Sequence, residues 1–133
     1  MIERFKDLMV GIKTSDIIPD ISIKGLATNS NKVKNGYLFF AIKGENFDGN
    51  NFIKSAFQNG AIAAVTEKKI NLKKSNKYII QVEDIKETIS AVANQFYGNP
   101  SERLNIIGVT GTNGKTSVSS ILYSILTSSG IKC

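Results

Sequence analysis

The sequence contains no histidine, and its single cysteine is the last of the 133 residues, Cys133. Without histidine, the chain cannot build a Ser-His-Asp triad or a typical zinc site. One cysteine cannot form a disulfide within the chain or hold a metal cluster. These absences exclude several common classes of enzyme, and we expect a cytoplasmic protein.

Long apolar runs are also absent. No segment approaches the roughly 20 apolar residues needed to cross a bilayer. The first residues, "MIERFKDLMVGIK", mix apolar and charged side chains, which is unlike a secretory signal. We therefore predict no membrane partner. Contents of 41% hydrophobic and 21% charged residues are globular values, and the length suits one domain with a fragment of a second.

The net charge of +6 has a local origin. Segment 67–77, "EKKINLKKSNK", holds five lysines but no arginine and no aromatic residue that could stack on a base. A solvated surface loop is the favoured interpretation, and we predict no nucleic-acid partner. Nucleic-acid binding stays open as a minor alternative.

Apolar patterning predicts alternating helices and strands through the first hundred residues. Helices are predicted at 2–9, from Phe52 to a stop at Gly60, and from Asp84 onward; strands are predicted at 21–27, 37–42, 61–66 and 78–82. The long helix begins with a capping-box pattern, Asp84 and Glu87, and its predicted buried stripe is Ile85, Ile89, Val92, Ala93 and Phe96. This alternation predicts an α/β fold with a parallel or mixed sheet.

A domain boundary is predicted at "YGNPSERLN", residues 97–105, where Gly98 and Pro100 end the preceding helix. Residues 1–98 then form one small domain. Residues 99–133 begin a second, with the strand "IIGVT" and a helix at 116–129. The apolar stripe of that helix is predicted to contain Val118, Ile121, Leu122, Ile125 and Leu126.

The segment "GVTGTNGKT", residues 108–116, joins this strand to this helix. It departs from the standard G-x-x-x-x-G-K-[ST] phosphate loop, because Val109 stands at the first glycine position. Glycines at 108, 111 and 114 still let backbone N–H groups approach an anion closely. Lys115 could reach the β- and γ-phosphates, and Thr116 could coordinate Mg²⁺. A plain glycine-rich turn is the alternative.

These residues resemble a known family. "GVTGTNGKT" is similar to the ATP loop of the Mur ligases, which build the peptide stem of bacterial cell-wall precursors. "FYGNPSERLNIIGVTGTNGKT" resembles the junction before the ATPase domain of the member that adds the third amino acid. "NSNKVKNGYLFFAIKGENFDGNNFIKSAFQNGAIAAV" resembles the N-terminal domain that holds the uridine nucleotide. The resemblance covers nearly the whole chain and implies the start of a P-loop ATPase domain after residue 98.

The resemblance also implies site residues. For ATP they are Gly111, Thr112, Asn113, Gly114, Lys115, Thr116 and Ser117, with Lys115 in the catalytic role and Thr116 as the Mg²⁺ ligand. For the UDP-sugar they are Thr28, Ser30, Glu45, Asn46 and Phe47. Turn formation is the alternative for Ser30, and core packing is the alternative for Phe47. The family usually has Asp-Ser-Arg where this chain has Asn29-Ser30-Asn31, which removes an arginine that could contact phosphate.

In the family's reaction, ATP phosphorylates a carboxylate of UDP-N-acetylmuramoyl dipeptide, and the amine of an amino acid, commonly diaminopimelate or lysine, attacks the acyl phosphate. Mg²⁺ assists. Since only the ATP loop of that machinery is present, we expect the 133-residue chain to be a truncated ligase that is inactive alone. The alternatives are a fragment of the next ligase in the pathway and a free-standing nucleotide-sugar-binding module. Self-association through the exposed terminal helix is also expected.

Overall fold

A computed structural model describes residues 1–70 and 77–133. The described chain divides into two compact units, Met1–Pro100 and Ser101–Cys133. The division lies close to the boundary expected after Gly98. The functions attached to segments 1–98 and 99–133 stay predictions.

The main sheet of the first unit has four parallel strands in the order β3-β4-β5-β6. Their bounds are Gly25–Ala27 (β3), Tyr37–Phe40 (β4), Ala61–Thr66 (β5) and Tyr78–Gln81 (β6). The central strands β4 and β5 are almost wholly buried, as expected for continuous apolar runs inside a parallel sheet. The predicted α/β fold with a parallel sheet is confirmed.

A second, smaller sheet pairs β1 (Glu3–Arg4) with β2 (Ser22–Ile23) in antiparallel fashion. The strand predicted at 21–27 is therefore split between two sheets. The helix predicted at 2–9 is shorter, since Glu3 and Arg4 are paired as strand and α1 spans only Phe5–Leu8. Ile2 precedes both elements and is 62% exposed, so its predicted place on a buried helix face is wrong.

Helices cover both faces of the main sheet because side chains alternate along each strand. Leu38 and Phe40 of β4 pack in a core cluster with residues of α1 and of α3 (Ile85–Phe96). Phe39 packs in the other cluster with residues of α2 (Ile53–Gln58). Thr88 of α3 was not in the predicted stripe, yet it is buried, and its hydroxyl donates to the Asp84 carbonyl at 2.6 Å.

The start of α3 uses two acidic side chains. Asp84 accepts hydrogen bonds from the backbone N–H groups of Lys86 and Glu87, both at 2.8 Å. Glu67, which follows β5, accepts from the N–H of Ile85 at 3.0 Å. The first three free N–H groups of this helix are therefore occupied by carboxylates. The predicted cap at Asp84 is confirmed.

The second unit contains helix α4, Lys115–Ser128, close to the predicted 116–129. The strand predicted in "IIGVT" is not formed, because no described strand pairs with it. No side chain of α4 is buried; Val118, Ile121 and Ile125 of the predicted stripe are each more than half exposed. None of the helices in the described ranges is both long and apolar enough to cross a membrane.

Candidate functional site

A surface cleft of about 560 Å³ lies beside the main sheet, where the chain leaves the carboxyl ends of β3 and β4. This is the edge at which parallel α/β sheets commonly bind ligands. The cleft brings together three of the predicted uridine-nucleotide residues, Thr28, Ser30 and Phe47. Its other lining residues are Asn29, Asn31, Phe39, Ile42, Gly44, Gly49, Phe52 and Ser55. Glu45 and Asn46 lie on the same segment as Phe47 but do not line the cleft.

The first wall of the cleft is a turn that follows β3. The Asn29 side chain accepts a hydrogen bond from the N–H of Asn31 at 2.9 Å and opens a short 3₁₀ turn, Ser30–Lys32. The Ser30 carbonyl accepts from the Asn59 amide, just after α2, at 2.9 Å. Ser30 is only 6% exposed, so it is both a turn residue and a cleft residue.

Relative to the Asp-Ser-Arg that the resemblance leads us to expect, the exchanges at Asn29 and Asn31 have different consequences. An Asn oxygen caps a turn as well as an Asp oxygen does, so the first exchange leaves the local fold intact. The second exchange places the neutral amide of Asn31 in the cleft. All the lining residues named above are uncharged. The lining residues therefore offer neutral hydrogen-bonding groups and apolar surface.

The second wall is a tight turn over residues 43–48, called here the cleft turn. Lys43 and Asp48 form an antiparallel bridge, and the N–H of Gly44 donates to the Phe47 carbonyl at 2.8 Å. Glu45 and Asn46 lie exposed at the tip. Phe47 is 74% exposed, so core packing is the wrong interpretation of this residue. An exposed phenylalanine at the edge of a cleft can cover a planar ligand.

Gly49 closes the base of the cleft turn. Its N–H donates to the Ile42 carbonyl at 2.8 Å. A Cβ atom at Gly49 would lie 2.5 Å from that same carbonyl oxygen and 2.6 Å from the Ile42 nitrogen. These contacts are with backbone atoms that cannot rotate away. The base of the turn therefore requires glycine because of space.

Asp48 anchors the same turn and was not singled out from the sequence. Its carboxylate accepts from the Asn50 N–H at 3.0 Å, from the Asn50 amide at 2.6 Å and from the Lys68 ammonium at 2.5 Å. These bonds, the one from Lys68 above all, lower the pKa of Asp48 to about 2. The pair Asp48-Gly49 is a turn signal in the sequence. No comparable signal points to a lysine twenty residues away.

The prediction that segment 67–77 is a solvated surface loop needs partial correction. Lys68 pairs with Asp48. Lys77 donates to the Ala61 carbonyl at 2.7 Å and lies 5.9 Å from the centre of the Phe57 ring. These two lysines hold structure rather than being simply solvated. Residues 71–76, which include two of the five lysines, lie outside the described residues.

The predicted phosphate loop lies in the second unit. Gly114 has φ of +76°, a left-handed conformation that favours glycine, and α4 begins at the next residue, Lys115. The Lys115 ammonium reaches back to the Gly111 carbonyl at 2.6 Å. No side chain caps α4, so its first N–H groups face outward without a side-chain acceptor. The remaining predicted ATP residues, Thr112, Asn113, Thr116 and Ser117, are exposed.

The Thr116 hydroxyl is the one protein group that the sequence prediction assigns to Mg²⁺ at this loop. In the described ranges, no group of three or more acidic, histidine or cysteine side chains is placed to hold a metal. Mg²⁺ in nucleotide sites is commonly held by few protein groups together with phosphates and water. Thr116 is therefore compatible with such an ion but supplies only part of its shell.

Comparison with known proteins defines the class. Residues 22–97 match the model described as "Mur ligase family, catalytic domain". The chain belongs to the Mur ligase family. The match lies within the first unit and does not include the loop at 108–117.

Three relatives locate the chain within this family. It is 49% identical over 110 residues, 83% of its length, to the UDP-N-acetylmuramoyl-L-alanyl-D-glutamate–2,6-diaminopimelate ligase of Aquifex aeolicus. A crystal structure of MurF from Acinetobacter baumannii has a TM-score of 0.71 at 28% identity over 96% of the chain. MurF from Thermotoga maritima in complex with ADP has a TM-score of 0.59 at 37% identity over 77%. The chain spans 22%, 28% and 23% of the lengths of these proteins.

Proposed function

We propose that this chain is the N-terminal portion of a MurE-type ligase, which adds the third amino acid to UDP-N-acetylmuramoyl-L-alanyl-D-glutamate in peptidoglycan synthesis. The observation that carries the proposal is the 49% identity to a ligase named for that substrate. That relative is named for 2,6-diaminopimelate, which we favour over lysine as the added amino acid. The 133-residue chain alone is not expected to catalyse the reaction.

The binding function is assigned to the cleft of the first unit. Thr28 and Ser30 would offer hydroxyl groups to uracil or diphosphate oxygens, and Phe47 would cover the base. Glu45 and Asn46 would contact parts of the ligand that extend past the tip of the cleft turn. The uncharged lining supports a nucleoside-directed site better than a phosphate-directed one.

ATP and Mg²⁺ are assigned to the loop of the second unit. A Mur ligase structure named as an ADP complex supports an adenine-nucleotide site in the family. Residues Gly111 to Ser117 would hold the phosphates, with Lys115 neutralising charge that develops during phosphoryl transfer and Thr116 on Mg²⁺. Since UDP-linked precursors and ATP are cytoplasmic, the proposal places the protein in the cytoplasm.

Calorimetric titration of the 133-residue chain tests the proposal. UDP-N-acetylmuramoyl-L-alanyl-D-glutamate should bind with a dissociation constant on the order of 100 µM, equivalent to about −5.5 kcal/mol. Ser30→Ala and Phe47→Ala should each weaken binding, while Ile121→Ala on α4 serves as the matched control and should not. A flat titration with folded protein contradicts the assignment of the cleft.

ATP should bind far more weakly than the UDP-linked ligand, because the second unit offers one loop and one helix. A micromolar ATP affinity would contradict this part of the proposal.

Self-association through α4 stays a prediction that follows from its exposed apolar side chains.

A MurF-type ligase is the second candidate, favoured by the structural similarity to two MurF structures. The nucleotide sequence downstream of codon 133 provides the means to separate the candidates. If the reading frame continues, the complete product can be assayed for ADP release. Release that depends on diaminopimelate supports the first candidate, and release that depends on D-alanyl-D-alanine supports the second. A free-standing binding module predicts neither.

A further inference from the structure

The cleft turn is connected to the sheet by a chain of side-chain hydrogen bonds. Asp48, at its end, accepts from Asn50 and from Lys68. The Asn50 amide oxygen accepts from the hydroxyl of Thr66, the fully buried last residue of β5. The Thr66 hydroxyl also accepts from the backbone N–H of Lys68 at 3.0 Å. Two segments distant in sequence are thereby joined at the carboxyl end of β5.

We propose that Asp48, Asn50, Thr66 and Lys68 form a positioning network that holds the cleft turn, and with it Phe47, in the conformation that receives the ligand. This inference rests on the proposed uridine-nucleotide function of the cleft. Thr66 and Lys68 both join the network from outside the turn, and Lys68 is the one that bonds Asp48 directly. It acts through Asp48 and is not among the residues that line the cleft.

The Asp48–Lys68 pair differs from the other ion pairs of the described chain. Lys13 and Glu83 are 3.9 Å apart with both side chains more than 70% exposed, and Lys6 and Asp20 are 3.8 Å apart and more than half exposed. Pairs of that kind contribute little. Lys68 is about half exposed, but it approaches Asp48 to 2.5 Å, and the Asp48 side chain is only 24% exposed. Its other bonds, to Asn50, fix the carboxylate in place, which makes it a defined anchor for the lysine.

The high exposure of Phe47 explains why an anchor for the cleft turn would favour binding. A side chain with few packing neighbours must lose motion when it contacts a ligand, and a turn held beforehand reduces that loss. The bonds within residues 43–49 shape the turn but do not join it to β5. The network supplies that connection. Its loss should therefore weaken ligand binding while leaving the core of the first unit intact.

The test compares Lys68→Met with Lys13→Met, which removes the same charge from an exposed pair. Both are made in the complete 133-residue chain, alone and combined with Phe47→Ala. We expect Lys68→Met to weaken binding of UDP-N-acetylmuramoyl dipeptide about fivefold and Lys13→Met to leave it unchanged. Combined with Phe47→Ala, Lys68→Met should have little further effect, because it acts through Phe47. Thermal midpoints should stay close to that of the unchanged protein.

Amide hydrogen exchange gives a second measurement that needs no ligand. The Gly44 N–H, which bonds to the Phe47 carbonyl, should exchange faster in Lys68→Met than in Lys13→Met. Equal affinities and equal Gly44 exchange in the two variants would overturn the proposal. Additive losses with Phe47→Ala would overturn the action through Phe47. If the unchanged chain does not bind the ligand but Gly44 exchange rises in Lys68→Met, the proposed function fails while the positioning network stands.

Discussion

The two units contain similar sequence patterns but differ in how far their apolar residues are buried. In the first, strands of apolar residues pair with one another, and β4 and β5 lie almost entirely in the core. In the second, the apolar segment "IIGVT" forms no strand, and α4 buries none of its side chains. Every fully buried hydrophobic residue of the described chain lies in the first unit.

This difference shows what periodicity does and does not determine. An apolar stripe specifies which side of an element can be buried, but burial itself requires a partner. β4 has partner strands on both sides, whereas 106–110 has none among the described residues. Helix α4 forms where predicted because its backbone bonds are internal, while a strand cannot form alone.

The largest predicted effect tests this difference in burial by substituting one buried and one exposed apolar residue. Phe40, 1% exposed in β4, loses many packing contacts in Phe40→Ala, which should lower the free energy of unfolding by about 3–5 kcal/mol. Ile125 on α4 is 55% exposed, and Ile125→Ala should change it by no more than about 0.5 kcal/mol. Urea unfolding followed by circular dichroism measures both. Equal losses would mean that α4 is buried in solution.

Substitutions at two glycines, one in each unit, should have effects of intermediate size. Gly49→Ala in the first unit forces a Cβ against the Ile42 backbone and should destabilise that unit by about 1–3 kcal/mol. Gly114→Ala in the second unit meets no atom within 4 Å, and its left-handed φ gives a local strain of about 1–2 kcal/mol. The first effect should appear in urea unfolding, the second in amide exchange at the start of α4. Gly108→Ala, with open space and no positive φ, is the control and should change neither.

The smallest predicted effect is a dependence of stability on pH through Asp48. Because the folded-state pKa of Asp48 is lowered to about 2 from 3.8, its contribution to stability is complete above 3.8 and is lost as the pH falls through 2. Asp48→Asn should therefore lower the thermal midpoint slightly at pH 5, and the difference should shrink as the pH falls toward 2 and below it. A difference between the two proteins that stays constant over this range would contradict the assigned ion pair with Lys68.

Much of the first unit follows from local sequence signals. The run "AIAAVT" coincides with β5, and Asp84 marks the start of α3 because its side chain can accept from the next free N–H groups. The split of 21–27 between two sheets could not be predicted, since it depends on pairing with Glu3 and Arg4 near the start of the chain. Pairing between distant strands leaves no periodic signal.

The candidate site shows the same limit. The resemblance named Thr28, Ser30 and Phe47, which line one cleft, although their ligand contacts stay predictions. It did not name Asp48 or Lys68, because an ion pair between residues twenty positions apart depends on how β5 follows α2. The exposure of Phe47 was undecided from sequence for the same reason: an aromatic residue in a polar segment suits either core or cleft.

The carboxylates at the start of α3 have a consequence for where an anion can settle. Of the two helices longer than eight residues in 1–70 and 77–133, α3 has its first amides bonded to Asp84 and Glu67, while α4 begins after Gly114 with no side-chain acceptor. A phosphate approaching α3 would meet two negative charges. At α4 it would meet amides and the ammonium of Lys115. Asp84 and Glu67 therefore disfavour anion binding at the start of α3, whereas no side-chain acceptor competes with an anion at the start of α4.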